Sequence, residues 1–461
     1  MINYLEDLFS AMRPAFSRQA TFAWFVITCV GFIMRYDNYG VSSIIRALYL
    51  LPIYYPCLLH FFHSSAWSTE ALRTLWWQWL IEQRREFCIN GMIVLTGDHT
   101  KNVKDGRKIP LVETLHQDSE TSSKPSFFRG HLWGCVGLLV QAGKKIRSAP
   151  MWAEIHHDNL PDKRSTRIVF MALSIIRSLN KKGYLILDAF FAVEPVLLLA
   201  LNCDNNAIHI ITRAKKNVTA YKKAPQRKKK KRGRRRIYGK KLKLMKLFDS
   251  KRVSFKSIQA DIYGTNEAVK YCTLDLLWKP VKGILRFILV ESSHGRIILM
   301  TTDTSLSAQT AISLYCKRTS IETLFNTMKN TLGAFGYHFW SKYLKPVSRS
   351  PKKKNGAKRR STNPEKTKKT FEAIEKFVTV QLVVLGALQL VAIKFNQKVF
   401  GEAKCWLRTK PDGTPSEFIT KIALTNVINH NLTRFAKNTI TQLILKKRNK
   451  TINQKYFNEA A

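Results

Sequence analysis

Acidic residues are scarce in this chain of 461 residues. Asp and Glu together number 31 against 77 Lys and Arg, a formal charge of +46. Such a chain repels itself unless it meets a polyanion, and nucleic acid is the first choice. Anionic membrane surface and ribosomal RNA are the second and third. Paired cysteines are absent. The eight cysteines, Cys29, Cys57, Cys88, Cys135, Cys203, Cys272, Cys316 and Cys405, form no C-x-x-C pair, which argues against a zinc site built from such pairs. Most lie in apolar runs and are expected to be small buried hydrophobes, with nothing that calls for an oxidising compartment. Long uncharged runs are also missing. Ala20–Met34, Ala47–Leu59 and Phe377–Ile393 all fall short of the roughly 18 apolar residues of a spanning helix, so buried helices are expected and no membrane. The acidic opening, Met1 to Asp7, lacks the charged-then-apolar order of a signal peptide. There are no internal repeats and no clear helix-turn-helix.

Hydrophobic residues make up 45% of the chain, enough for real cores and too many for a disordered protein. Residues 1–90 have helical texture, with basic residues interspersed and a Trp76-Trp77-Gln78-Trp79 cluster that favours packing. They form an expected helical N-terminal region that is a candidate for DNA-end binding. At Met92 the texture changes. Met92–Leu95 is an apolar run expected to be a buried strand whose end presents Asp98. Leu132–Val140 and Ala149–Ile155 suggest further strands, and Arg167–Leu179 a helix. Tyr184–Leu187 is another buried strand, delivering Asp188. Ala192–Leu201 is expected to be a helix, and Ala207–Thr212 a strand. Arg227–Arg236 is almost wholly basic, a solvated arm. Val253–Val290 alternates as strands do, Ile297–Met300 is one more strand, and Ser307–Thr331 is helical. Ser348–Lys369 has the composition of a basic loop, and Ile374–Phe395 that of an apolar helix.

The expected division is therefore a helical region at 1–90 and an α/β core at 91–214. A basic β-rich insertion follows at 215–295, the second part of the core at 296–345, and a basic loop and helices at 346–461. The last of these is the candidate for dimerisation.

One helical stretch concentrates chemistry. On a straight helix Tyr315, Arg318, Glu322 and Lys329 fall within roughly 60° of one another. A carboxylate there can hold a divalent metal, and Arg and Lys can grip phosphates. Taken alone, the stretch reads first as an ordinary amphipathic helix with a solvated charged face. Asp98 and Asp188 change the balance. Each follows a continuous apolar strand, and ligand sites in α/β sheets gather at strand ends. Each Asp alone has a bland alternative as a turn or capping residue.

The spacing Y-x2-R-x3-E-x6-K resembles the signature of bacterial insertion-sequence DDE transposases of the YREK group. Arg318-Thr319-Ser320-Ile321-Glu322-Thr323-Leu324-Phe325 resembles that family's R-x-x-I-E-x-x-F core, and Leu299–Asp303 its strand-to-helix passage. The gap from Asp188 to Glu322 leaves room for the family's β-rich insertion. The resemblance covers roughly residues 90–335. It implies an RNase H-like mixed sheet flanked by helices, with Asp98, Asp188 and Glu322 as a DDE triad. Two Mg²⁺ ions, or Mn²⁺, would be held there to activate water or a DNA 3′-hydroxyl and to stabilise the leaving oxygen. Tyr315, Arg318 and Lys329 would hold the DNA end. The implied substrate is double-stranded DNA, as transposon ends and target, bound by a homodimer in the bacterial cytoplasm beside the nucleoid. Relatives that open their ends through hairpins carry a tryptophan in the strand before the YREK helix. Arg296–Leu299 has none, and Trp278 is the nearest upstream.

Other basic residues are candidates for phosphate contact: Lys101, Lys104 and Arg107 after Asp98, and Arg227, Arg232 and Arg235 in the basic arm. The His156-His157-Asp158 cluster is expected to play a surface or supporting role, because adjacent histidines point different ways. His99 is either support for Asp98 or packing. Two other classes compete: a non-catalytic DNA-binding transposase relic, distinguished by the absence of metal-dependent nicking, and a basic membrane- or RNA-associated protein, distinguished by detergent dependence.

Overall fold

A computed structural model describes residues 1–117, 126–158, 160–225, 236–251, 253–347, 361–406 and 413–448. Helices α1 (Ile2–Ala11), α2 (Gln19–Met34), α3 (Ser42–Leu48), α4 (Tyr55–His63) and α5 (Thr69–Glu82) come first. Strands β1 (Cys88–Ile89), β2 (Met92–Val103), β3 (Glu113–His116), β4 (Phe127–Ala142) and β5 (Lys145–Ile155) follow. Then come α6 (Arg164–Ser178), β6 (Gly183–Leu187), α7 (Glu194–Leu201) and β7 (Ile208–Arg213). Six strands succeed them: β8 (Thr219–Lys223), β9 (Tyr238–Lys243), β10 (Lys256–Ile262), β11 (Thr265–Trp278), β12 (Gly283–Ser292) and β13 (Gly295–Thr301). The chain closes with α8 (Ala308–Cys316), α9 (Ser320–Asn326), α10 (Pro364–Lys394), α11 (Asn396–Ala403), α12 (Glu417–Thr433) and α13 (Thr439–Leu445).

The chain divides into two compact units. One comprises Met1–Glu86, His99–Leu160 and Thr323–Ala461, and the other Phe87–Asp98 and Pro161–Glu322. Strand β2 runs through both. Its first half pairs in parallel with β6, and β6 in parallel with β7. Beyond its second half, the Lys104 N–H donates to the Arg129 carbonyl in β4, and β4 pairs antiparallel with β5. Parallel strands in the second unit and antiparallel ones in the first match the mixed, RNase H-like strand pairing expected from the resemblance. The β-rich segment does not stand apart. From β7 the sheet continues antiparallel through β13, β12 and β11, with β10 and β8 on β11 and β9 on β8.

In the second unit every residue of β6 is buried, which is why its sequence is an unbroken apolar run rather than an alternating one. Helix α6 covers it with Ile168, Ala172, Ile175 and Ile176, the spacing of one helical face. The close approach needs a glycine just before Asp98. A Cβ on Gly97 would stand 2.6 Å from Ile168 Cγ2 and 3.0 Å from Leu187 Cδ2. Gly97→Ala is therefore expected to cost about 1–3 kcal/mol by overpacking. Trimming Ile168 to Ala in the same chain should restore part of it. Thermal melts of the single and double variants check this, and an unchanged melt for Gly97→Ala would refute the close packing.

The first unit is built on α10. Asn363 caps it by accepting from Lys366 N at 3.0 Å, and Pro364 occupies the first turn. The expected apolar helix at Ile374–Phe395 is thus the later part of a 31-residue helix, and the expectation that no run reaches spanning length is corrected. By length and composition α10 qualifies as a span, yet 94% of its apolar window is buried inside the fold, where it packs on α2, α4, α5, α12 and β5. The tryptophan cluster is packing. Trp76 and Trp77 are buried and donate their ring N–H groups to the Pro150 and Met151 carbonyls at 2.7 Å. Gly386 of α10 leaves the room Trp76 fills, since a Cβ there would lie 2.1 Å from the indole.

The cysteines are less buried than expected. Cys29, Cys135 and Cys272 are buried, while Cys57, Cys88 and Cys405 are exposed, and none is in a disulfide.

Candidate active site

Asp98 is not at a strand end. It lies inside β2, which continues to Val103 because the residues after it keep extended backbone and pair onward. The parallel register ends where Thr96 pairs with Ile186, and each aspartate follows that pair by two residues. Neighbouring strands lie about 5 Å apart, so the two carboxylates start from adjacent backbone positions. The pairing of Leu187 with Thr212 carries the row one step further, to Arg213. Asp188 stands where a capping residue would, before a short 3₁₀ turn at Ala189–Phe191, but its side chain makes no capping bond. Its backbone carbonyl is held instead by the Thr212 hydroxyl at 2.8 Å. The turn-and-cap alternative for both aspartates is thereby removed.

Glu322 arrives from the other direction. The expected single helix Ser307–Thr331 is broken. Helix α8, capped by Ser307, gives way to a 3₁₀ turn at Lys317–Thr319, then α9, then a π turn at Thr327–Thr331. The 3₁₀ and π windings depart from 3.6 residues per turn, so the straight stripe from Tyr315 to Lys329 does not hold. The stripe survives over its first part. Arg318 donates to Glu322 Oε1 at 2.8 Å and lies 3.6 Å from Asp98 Oδ2. Glu322 is 56% exposed at its side chain, against 15% for Arg318 and 22% for Asp98. Burial works to lower the Arg318 pKa, but Tyr315, Glu322 and Asp188 outweigh it and hold the guanidinium above its ordinary value. Tyr315 is buried, and burial pushes its hydroxyl up to about 12, with Arg318, Arg213 and Asp188 as charged neighbours. Asp98, Asp188, Tyr315, Arg318 and Glu322 all belong to one unit.

Sequence reasoning missed two members of this neighbourhood. Arg213 shares the Asp188 row, and a basic residue closing an apolar strand was the only clue to it. Tyr263 sits at the β10–β11 hairpin tip, stacked on His294 with ring centroids 5.3 Å apart. Burial raises its pKa, and Cys316, Arg318, Arg213 and Glu322 are its electrostatic neighbours. Nothing in the local sequence announces that the hairpin reaches α8. Trp278 lines a cavity of about 520 Å³ with Tyr221, Lys215 and Met300, bordered by Ala192 and Ala214. Asp303, by contrast, follows Thr301, which pairs with Ile211 as β13 runs antiparallel toward the start of β7. Its carboxylate takes the Tyr184 hydroxyl at 2.8 Å and the Ser305 hydroxyl at 2.6 Å, at the opposite end of β7 from Arg213.

The remaining candidates lie elsewhere. Lys329 falls in the first unit and is exposed, with its pKa lowered by desolvation. Lys101 donates to the His116 carbonyl at 2.9 Å, and Arg107 to the Val347 carbonyl at 2.9 Å. Arg227, Arg232 and Arg235 are outside the described residues. Lys104 is a correction. It is buried, donates to the Phe335 and Tyr337 carbonyls, and sits 3.7 Å above the Tyr337 ring. Burial brings its pKa down to about 8. A group so enclosed holds a loop and does not touch a phosphate. Lys104→Ala is expected to lower stability by about 1–3 kcal/mol while leaving the salt dependence of DNA affinity unchanged. Thermal melts and filter binding check both, and a shallower salt slope with normal stability would contradict it. The histidine cluster divides between the interior and the surface. His156 is fully buried, with Nδ1 at 2.9 Å from His99 Nε2 and Nε2 at 3.4 Å from Glu154 Oε1, while His157 faces the Phe371 ring.

The donor chemistry around Arg318 suits a hard divalent cation, since all three carboxylates offer oxygen. They are not gathered around an ion-sized gap. Among the described residues no three His, Cys, Asp or Glu side chains stand close enough to hold a metal. The Arg318 guanidinium is the cation among them.

The family model described as "Transposase DDE domain" matches residues 149–341, a span that includes Asp188, Arg318 and Glu322. That stretch of the chain is thus similar to a transposase DDE domain. No curated protein matches it. Among solved structures, the piggyBac transposase synaptic complex with hairpin DNA is similar over 93% of this chain and 75% of that one, at 10% identity and TM-score 0.36. The NurA nuclease from Sulfolobus solfataricus is similar over 55% of this chain and 92% of that one, at 9% identity and TM-score 0.21. Likenesses of this size carry no argument about function.

Proposed function

We propose that this chain is a DNA transposase of the bacterial insertion-sequence kind, cleaving transposon ends and transferring their 3′-hydroxyls to target DNA. The observation that carries the reading is the placement of Asp98 and Asp188 two residues beyond the last pair of the parallel strands β2 and β6, with Arg318 joining Asp98 to Glu322. Asp98, Asp188 and Glu322 would hold the divalent ions. Bound there, Mg²⁺ or Mn²⁺ supplies Lewis-acid activation of the attacking oxygen and stabilises the leaving one. Arg318 presents a planar fork suited to a phosphate oxygen pair, and Tyr315, still protonated at neutral pH, can donate a hydrogen bond to a phosphate oxygen. Lys329 and the basic arm add grip on the backbone. The working form is a homodimer on paired ends in the bacterial cytoplasm.

The test uses the full chain and a labelled duplex taken from the DNA flanking its coding region. Strand cleavage that appears with Mg²⁺ or Mn²⁺ and stops with chelator is expected. DNA binding without cleavage under any divalent ion would instead establish the non-catalytic relic.

A further inference from the structure

We propose that Arg318 is an internal counter-cation of the carboxylate site. In DNA-free protein it occupies the carboxylate oxygens a divalent ion needs, and a DNA phosphate draws it away. Ion binding is thereby made dependent on DNA. The inference rests on the reading of Asp98, Asp188 and Glu322 as the ion site.

Three observations support it. First, the two ends of the guanidinium are both engaged, Nη2 with Glu322 at 2.8 Å and Nη1 near Asp98 at 3.6 Å, while Asp188 adds its charge to the same group. Second, no ion-sized cluster of ligands exists among the described residues while Arg318 stands there. Arg318 is the cation that Asp98 and Glu322 share, and Asp188 acts on it electrostatically. Third, Arg318 sits on the 3₁₀ turn between α8 and α9, so its backbone is not locked in one continuous α-helical ladder.

The exchange has a chemical sense. A guanidinium cannot lose its proton at working pH, so it leaves the carboxylates only for another anion. A phosphate diester presents two oxygens that match its fork. Once Arg318 pairs with phosphate, Asp98 and Glu322 regain free oxygens and strong negative potential, which a divalent cation then satisfies. Linkage requires the converse: the ion strengthens DNA binding by the same factor that DNA strengthens ion binding.

The test reads free Mn²⁺ by electron paramagnetic resonance on the full chain, with DNA-only controls subtracted. Without DNA, Arg318→Gln should bind Mn²⁺ at least tenfold more tightly than wild type. A duplex from the flanking DNA should tighten wild type at least tenfold and change Arg318→Gln far less. Equal or weaker binding by a folded Arg318→Gln overturns the proposal. If that variant melts early, the wild-type arm decides alone, and Mn²⁺ affinity indifferent to DNA overturns it. The underlying reading fails separately. If adding Asp188→Asn to either protein leaves Mn²⁺ binding intact, the ion is not held here and both readings fall. If Asp188→Asn abolishes binding but Arg318→Gln does not tighten it, only the counter-cation role is lost.

Discussion

Asp188→Asn should abolish strand cleavage, by roughly 10³- to 10⁶-fold, while DNA affinity stays within a few-fold of wild type. The substitution keeps the shape of the side chain and removes its charge. The Asp188 side chain caps no helix and its backbone is held through Thr212, so the fold does not hang on it. One like charge fewer beside Asp98 and Glu322 eases repulsion in the fold. What is lost is one of the oxygens on which a divalent ion would depend. Asp98→Asn should behave likewise, although it also frees one end of Arg318. Cleavage rates on the flanking duplex, with binding measured in calcium-free chelator buffer, separate the two effects. A variant that cleaves at a tenth of the wild-type rate would place the chemistry elsewhere.

DNA affinity should collapse with salt. A chain of charge +46 that neutralises 6–10 phosphates loses about 10³- to 10⁵-fold in affinity between 50 and 200 mM salt. Much of that slope should reside in the basic arm. Deleting Arg227–Arg236 removes ten residues of which only Gly233 is uncharged. Each phosphate that the shortened chain no longer neutralises lowers the slope by about 0.9. The weakening should be uniform across duplex sequences, because groups that grip phosphate position the protein without reading bases. Filter binding over a salt series measures it. A deletion that leaves the slope unchanged would move the electrostatic footprint to other surfaces.

The strands were legible because their covering is uniform. β6 is buried throughout, so Tyr184–Leu187 announces itself as an apolar run with Asp188 at its end. That Asp98 follows an apolar strand run was legible, and its position inside the strand was not. The polar residues after it hide a strand that continues to Val103, since pairing holds extended backbone whatever the side-chain pattern. The Tyr315–Glu322 spacing pointed to the right neighbourhood because only two turns separate these residues. Over the longer reach to Lys329 the 3₁₀ and π windings accumulate and the helical projection fails. Lys104 misled for a different reason. A lysine in a basic loop looks solvated, and only the fold reveals the Phe335 and Tyr337 carbonyls that enclose it. The contribution of Tyr263 depends on a hairpin packing against α8, which joins segments far apart in sequence.

The central claim is that Asp98, Asp188 and Glu322 work as one site. Groups that act as a unit lose their function together, so removing a second costs little more than removing the first. The most direct measurement is the cleavage rate of Asp98→Asn, Asp188→Asn, Glu322→Gln and the Asp98→Asn/Asp188→Asn pair under saturating Mn²⁺. The expected result is the same residual rate for all four. Losses that multiply in the double variant, or any single variant that keeps wild-type cleavage, would contradict it.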